Sequence, residues 1–418
     1  MAEDSTAGLA PPLQDAATAP PPSPSSHGSL VALIRSRPGW TRQQLLAATG
    51  MSRTTLFDRL DALFAHEYVY QAGSAPAGPD GDGAGPGRRA ELLRWDDRGR
   101  VVLVLDLGQT HARLCVTGVR GDILRMRDVA MDIDTDAGPY LDTVFDIAQE
   151  LVDAGDDDEK LIGVALGIPG PVDPLTGVLG RSTTMPRWQS FPISATVRER
   201  WHAEVVIEND ARAFALGESS VAGSGQTVLA VKYATGIGAG IVDGGHVLEG
   251  SAGAAGDIGH IRLTADGPRC TCGRRGCLAA WASGHALVRR LAKTGVQDLR
   301  DITERVSAGD ATVCAELDTA SAALGRVLAT VVATINPDTV VLGGTLGRLP
   351  RVVSAVDAVI RDHVSDRTTQ HLTVTSARLG ADGGVVGLAR KVVDLVYAPA
   401  AVDAAIAGGD ASTGGATT

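Results

Sequence analysis

His260, Cys270, Cys272 and Cys277 fall within one stretch, GDIGHIRLTADGPRCTCGRRGC, and their types and spacing match a tetrahedral zinc site. The C-x-C-x4-C order closes into a knuckle because Gly273 and Gly276 permit the turns that aim successive thiolates at one ion. The competing reading is a group of buried free thiols beside an unrelated histidine. Closed Cys3His sites are usually structural, so the task assigned to Zn2+ here is to pin His260 rather than to react.

Three further constellations carry chemistry. Asn209 and Asp210 stand where the strand VVIEN meets a helix, and the plain alternative for such a pair is a helix cap. VVLVLDLGQTHARLCVTGV reads as strand, tight turn, strand, with Asp106 closing the first strand and Gly108 and Thr110 in the turn. VLAVKYATGIGAGIVDGG repeats the plan with Thr235, Gly236, Gly238 and Gly240. Such turns offer backbone amides to phosphate, and two of them over a hundred residues apart suggest an internal duplication. Between them GVALGIPGPVDPLTG is a buried strand entering a loop stiffened by Pro169, Pro171 and Pro174. Near the C-terminal end, INPDTVVLGGTLGRL and SARLGADGGVVGLARKVV present a Gly-Gly turn and a glycine-lined helix start that admit a flat ligand.

The third constellation is basic and helical. Leu30, Val31, Leu33 and Ile34 recur at helical spacing until Arg37-Pro38-Gly39. Thr41 and Gln44 form a capping box for a helix that stops at Gly50. SRTTLFDRLDALFAHE follows, with Leu56, Leu60 and Leu63 on one face and Arg53, Thr54, Thr55, Phe57 and Arg59 on the other. Helix, glycine turn and helix make a helix-turn-helix, whose second helix offers base-edge and phosphate contacts. Residues 68–71 and 91–95 read as strands of a wing whose loop carries Arg88 and Arg89 toward phosphate or minor groove. The alternative is a small helical bundle used for dimerisation, and Asp58, Asp80 and Asp82 weaken the basic footprint.

These residues are spread over 418, enough for two or three domains. Residues 1–28, rich in Ala, Pro and Ser, read as a disordered arm, and 398–418 read as a disordered tail. Between them lie expected domains at 29–96, 97–222 and 223–397. A net charge of −11 gives no general attraction to nucleic acid, so DNA binding must come from a locally basic module. Five cysteines, mostly committed to metal, fit a reducing compartment. No apolar run of spanning length and no signal peptide are read, which makes the expected location cytoplasmic, away from the membrane.

From Val101 to about Tyr397 the chain resembles the ROK family, which joins transcriptional repressors and sugar kinases. The resemblance rests on DLGQTH at 106–111, GIPGPVD at 167–173, END at 208–210, TGIGAG at 235–240, GDIGH with CTCGRRGC, and LGG at 342–344. It implies an α/β chain in which a winged helix-turn-helix precedes a two-lobed, actin-like sugar-kinase fold. It also implies that Asp210 matches the general base of family kinases, Asn209 and Asp257 hold sugar, and His260 contacts sugar while zinc fixes its ring. Departures from the family pattern are Gln109 for a glycine, Ala234 for a glycine, Asp257 for a glutamate, Ala279 for a glutamate and Arg187 for a glycine. A side chain at Gln109 should crowd the phosphate turn, so ATP and Mg2+ are not expected. The expectation is a sugar-responsive repressor of carbohydrate-metabolism genes, with operator DNA and a sugar or sugar phosphate as ligands, acting as a homodimer or homotetramer. The alternative is an ATP-dependent, glucokinase-like sugar kinase.

Overall fold

The computed structural model describes residues 26–74, 90–173, 176–180, 182, 184–223 and 225–413, with side chains as far as residue 408. The arm before Ser26, Asp80, Asp82, Arg88, Arg89 and Pro174 lie outside the described residues. The chain divides into two compact units, one reaching to Asp96 and resuming at Tyr397, the other Asp97–Val396.

The first unit has the element order of a winged helix-turn-helix. Helices α1 (His27–Arg35), α2 (Arg42–Thr49) and α3 (Arg53–Ala65) precede strands β1 (Val69–Ser74) and β2 (Glu91–Trp95), which pair antiparallel. Both halves of the Thr41/Gln44 capping box form, satisfying two orphan amides. Helix α2 stops because Gly50 takes a left-handed conformation, φ 67°, that a side chain would resist. Ser52 then caps α3 by accepting from the Thr55 amide. Leu30, Val31, Ile34, Leu45, Leu56, Leu60, Leu63 and Leu93 are buried, so the apolar faces read from periodicity form this unit's core.

The chain's end departs from expectation. Residues Pro399–Thr413 are a helix instead of a disordered tail, and α1 already begins at His27, inside the span assigned to the arm. The Ala-rich composition conceals an apolar pair at i, i+4: Val402 and Ile406 are both buried. Gly28 packs directly on the Pro399 backbone, and its amide donates to Asp403 Oδ1 at 2.9 Å. Tyr397 meets Trp95 edge-on at 5.0 Å and Tyr68 at 6.1 Å, with the Arg35 guanidinium over both Trp95 and Tyr397.

The second unit is two lobes built on one plan. The first sheet, ordered β5-β4-β3-β6-β7, uses β3 (Arg100–Leu107), β4 (His111–Gly118), β5 (Ile123–Ala130), β6 (Lys160–Ile168) and β7 (Glu204–Asn209), with α4 (Ala137–Asp153), α5 (Ile193–Trp201) and α6 (Asp210–Ala222). The second sheet, ordered β10-β9-β8-β11-β12, uses β8 (Val228–Tyr233), β9 (Ile237–Asp243), β10 (His246–Val247), β11 (Thr339–Gly343) and β12 (Thr373–Ser376). In each, three antiparallel strands are extended by two parallel ones, which is the duplication the paired glycine turns suggest.

Helices α7 (Leu278–Ala282), α8 (Gly284–Leu291), α9 (Leu299–Ser307), α10 (Ala311–Ile335), α11 (Gly344–Gly347), α12 (Pro350–His363) and α13 (Asp366–Thr369) accompany the second sheet. Helix α14 (Gly383–Val396) does not stay with them. Its Leu388 and Val392 lie on Gly167 and Gly163 of β6, so the first lobe is completed from the C-terminal end and the division at 222/223 is not clean. Tyr397, placed by sequence in the second lobe, packs in the first unit. Helix α10 is long and apolar enough to cross a membrane, against the sequence reading. Half of its most apolar window is buried, and Val313, Leu317, Leu324 and Leu328 belong to the second lobe's core.

Removing the buried side chain in Ile406→Ala should cost about 2–5 kcal/mol. The measurement is hydrogen exchange across α1 and α3, where protection should fall. Unchanged protection would detach the C-terminal helix from the first unit.

Candidate ligand cleft and metal cluster

The carboxyl ends of three adjacent strands bring the first group of residues together. Asp106 of β3 stands opposite Gly167 of β6, and Ile168 stands opposite Asn209 of β7. Asn209 is the N-cap of α6: its Oδ1 accepts from the amides of Ala211 and Arg212, and its Nδ2 donates to the Gly170 carbonyl at 3.0 Å. The cap alternative is therefore realised, and the same side chain ties the 168–173 loop to the helix.

Asp210 is not a free carboxylate. Its Oδ2 accepts from Lys232 Nζ at 2.9 Å, a pair that joins α6 to β8 of the other lobe. Burial opposes the ammonium charge, but Asp210 and Asp106 outweigh it and raise Lys232 above the ordinary lysine value. Asp106 is 6% exposed, with Oδ1 buried and lacking a hydrogen-bond partner. Burial raises its pKa, and Lys232 offsets part of that rise. Lys232 was not singled out from sequence. Its signal was a lone cation inside the apolar run VLAVKY.

The glycine turns are occupied by the protein itself. Gly108 donates its amide to the His111 carbonyl, closing the β3–β4 hairpin, while Gln109 and Thr110 accept from Ile133 and Met131. Trp188, buried after Pro186 and Arg187, donates its Nε1 to Ile133 and so braces that turn. Gln109 Nε2 lies 3.2 Å from where a Cβ on Gly236 would stand, so its side chain reaches from the first turn to the second. Thr235 gives its carbonyl to the His285 amide. Gly238, assigned to the phosphate turn, and Gly240 are bare for another reason: β9 lies against Ala211 and Ala215 of α6.

Glu208, the first residue of the END motif, is the centre of an ion cluster. It accepts from the Asn209 amide, from Arg212 and from Lys391 of α14; Lys391 also pairs with Glu249 at 2.7 Å. Arg212 is 1% exposed and donates onward to the carbonyls of Val172 and Gly253. The two lobes and the 168–173 loop thus share one set of charges.

The loop from Gly253 continues to the cysteines. Gly256 and Gly259 lie on the backbone of β9 at Ala239 and Ile237, which lays Asp257 and His260 along that strand. Asp257 is exposed and opens the short 3-10 turn Ile258–His260. The donor atoms of His260, Cys270, Cys272 and Cys277 all lie within 4.8 Å of one another, a cluster able to hold a metal ion. His260 Nδ1 faces Cys270 Sγ at 3.3 Å, and Cys272 Sγ is 3.7 Å from Cys277 Sγ. Gly276, φ 74°, turns the chain where a side chain would strike Thr264. Ala279 follows in α7 and supplies no polar group to the site.

On the helix proposed to read bases, Arg53 and Thr54 are exposed in the first turn. Thr55 is half-buried and bound to the Ser52 cap, and Arg59 turns to the His27 ring at 3.2 Å. These two do not lie free on the outward face as expected: Thr55 is tied to the cap and the first residue of α1 supplies Arg59 with a partner.

Residues 102–394 match the model of the ROK family. A putative xylose repressor from Caldicellulosiruptor sp. (strain Rt8B.4) is 31% identical over 322 residues, 72% of this chain and 78% of that protein. The chain belongs to the ROK family. The crystal structure of a ROK family transcriptional regulator, a homologue of the E. coli MLC protein, superposes with a TM-score of 0.75 at 21% identity, covering 91% of this chain and 98% of that one. A ROK family glucokinase from Streptomyces griseus, solved with glucose and AMPPNP, is 27% identical with a TM-score of 0.62, covering 71% of this chain and 98% of its own. The lobes thus have the family's actin-like kinase fold, and the regulator's likeness extends further along this ROK chain than the glucokinase's does.

Glu208→Gln would leave the buried Arg212 guanidinium without its carboxylate and Lys391 with Glu249 alone. We expect a loss of about 3–5 kcal/mol of stability, read from the midpoint and slope of denaturant unfolding. An unchanged midpoint would mean that the cluster does not hold the lobes.

Proposed function

We propose that this ROK protein is a sugar-responsive transcriptional repressor of carbohydrate-metabolism genes, acting in the cytoplasm as a homodimer or homotetramer. One observation carries the reading: a unit with the element order of a winged helix-turn-helix is joined to kinase-type lobes whose Asp210 is already paired with Lys232. A base that must position a hydroxyl for phosphoryl transfer is here held by an ammonium, and Gln109 stands between the turns that would cradle phosphates. What remains is a cleft suited to binding. In this reading Asn209, Asp210, Asp257 and His260 hold the sugar, and the His260/Cys3 cluster holds a structural Zn2+ that orients the imidazole. Helix α3 reads operator DNA, with Arg53 on a base edge, Thr54 beside it, and Arg88 and Arg89 on phosphate or minor groove. Repressor relatives and a net charge concentrated away from this module support the assignment.

A second reading, ATP-dependent sugar kinase, is favoured by the presence of Asp210 and by the likeness to the Streptomyces glucokinase. A coupled assay with ATP, Mg2+ and a sugar panel separates the two: turnover of roughly 1–100 per second, abolished in Asp210→Ala, would establish the kinase.

Two outcomes are expected. Arg53→Ala should weaken binding to a selected operator by about 1–3 kcal/mol and relax its sequence preference; fluorescence titration that finds the affinity unchanged would remove Arg53 from the interface. Metal analysis should find one zinc per chain, lost or strongly depleted in Cys272→Ser. Well-folded protein without zinc would refute the metal assignment.

A further inference from the structure

Carboxylates gathered in a buried place need a counter-ion. Asp106 ends a strand of the first lobe, is 6% exposed, and keeps Oδ1 buried with no hydrogen-bond partner. Asp210 begins the helix after β7, two strands away in the same sheet. Both oxygens of interest are at the carboxyl ends of parallel strands, where open α/β sheets bind ligands. The charge is met from the other lobe: Lys232 Nζ sits 2.9 Å from Asp210 Oδ2, and Lys232 and Asp210 are the charged groups acting most strongly on Asp106.

A metal nucleotide does not fit this arrangement. Mg2+ demands a near-octahedral oxygen shell at about 2.0–2.1 Å, and a carboxylate oxygen at hydrogen-bond distance from an ammonium is not available to such a shell. The polyphosphate side is obstructed independently, since Gln109 reaches across to Gly236.

We propose that Lys232 is a built-in substitute for a divalent cation, its ammonium neutralising Asp106 and Asp210 so that the cleft holds ligand while excluding metal. This rests on the sensor reading above and deepens it by naming the residue that separates binding from turnover. The site it replaces is a carboxylate site for an oxygen-preferring cation, latent in Asp106 and Asp210 and released when the ammonium is removed.

The test uses full-length, zinc-loaded protein and Mn2+ alone as the probe, followed by electron paramagnetic resonance and calorimetry at neutral pH. Lys232→Met should bind one Mn2+ at least tenfold more tightly than the unmodified chain, and the gain should vanish in Lys232→Met combined with Asp106→Asn. Lys232→Arg, which keeps a cation, should exclude Mn2+ as the unmodified chain does. If Lys232→Met does not fold, Lys232→Gln gives the same readout with a polar end. A folded variant with unchanged Mn2+ affinity overturns the proposal, and so does a gain that survives Asp106→Asn. Neither result touches the sensor reading, which is decided by ligand-dependent operator binding of the unmodified chain.

Discussion

Glu208 contributes one carboxylate to three partners, and the second unit's geometry depends on that concentration of charge. Its oxygens take the Asn209 amide, the Arg212 guanidinium and the Lys391 ammonium, at a place where the carboxylate is 1% exposed. Two buried ions and a half-buried ammonium are costly to desolvate, so the arrangement persists only because each finds further partners. Arg212 finds them in the Val172 and Gly253 carbonyls, and Lys391 finds Glu249. The consequence is positional. The 168–173 loop, the start of α6 with Asn209 and Asp210, and the loop leading to Asp257 and His260 are all fixed to the same cluster.

Local chemistry was legible in the sequence and long-range pairing was not. The capping box at Thr41, the Gly50 turn and the Ser52 cap could be read because all their partners lie within four residues. The cysteines could be read for the same reason, being clustered in eight residues with a glycine at each turn. Lys232 pairs with Asp210 across 22 positions, and Lys391 reaches Glu208 across 183, distances at which no spacing rule operates. Arg59 turns from the outward face because its partner, His27, lies in a stretch whose composition suggests no structure. The C-terminal helix is illegible for a like reason: alanine hides an apolar pair that becomes meaningful only against α1.

The resemblance to kinases points to Asn209, Asp210 and Gly238, and the geometry gives each of them a partner within the protein. Asn209 caps a helix and tethers a loop, Asp210 is ion-paired, and Gly238 makes room for Ala211. The family's motif positions are therefore kept here, with Asp210 engaged by Lys232. The route from that cleft to DNA is covalent as well. The chain crosses between the units at Asp96–Asp97 and again at Val396–Tyr397. Helix α14 carries Lys391 and ends one residue before Tyr397, which is packed among Trp95, Tyr68 and Arg35.

A repressor that responds to sugar couples its sugar site to its operator, and linkage requires that coupling free energy to act equally in both directions. Its most direct measurement is operator affinity, titrated at one fixed salt concentration with and without the sugar that most raises the protein's melting temperature. The expected change is about 5- to 150-fold, with the same factor when sugar affinity is measured with and without operator, and its loss in Asn209→Ala. A sugar that binds the cleft and leaves operator affinity unchanged would contradict it.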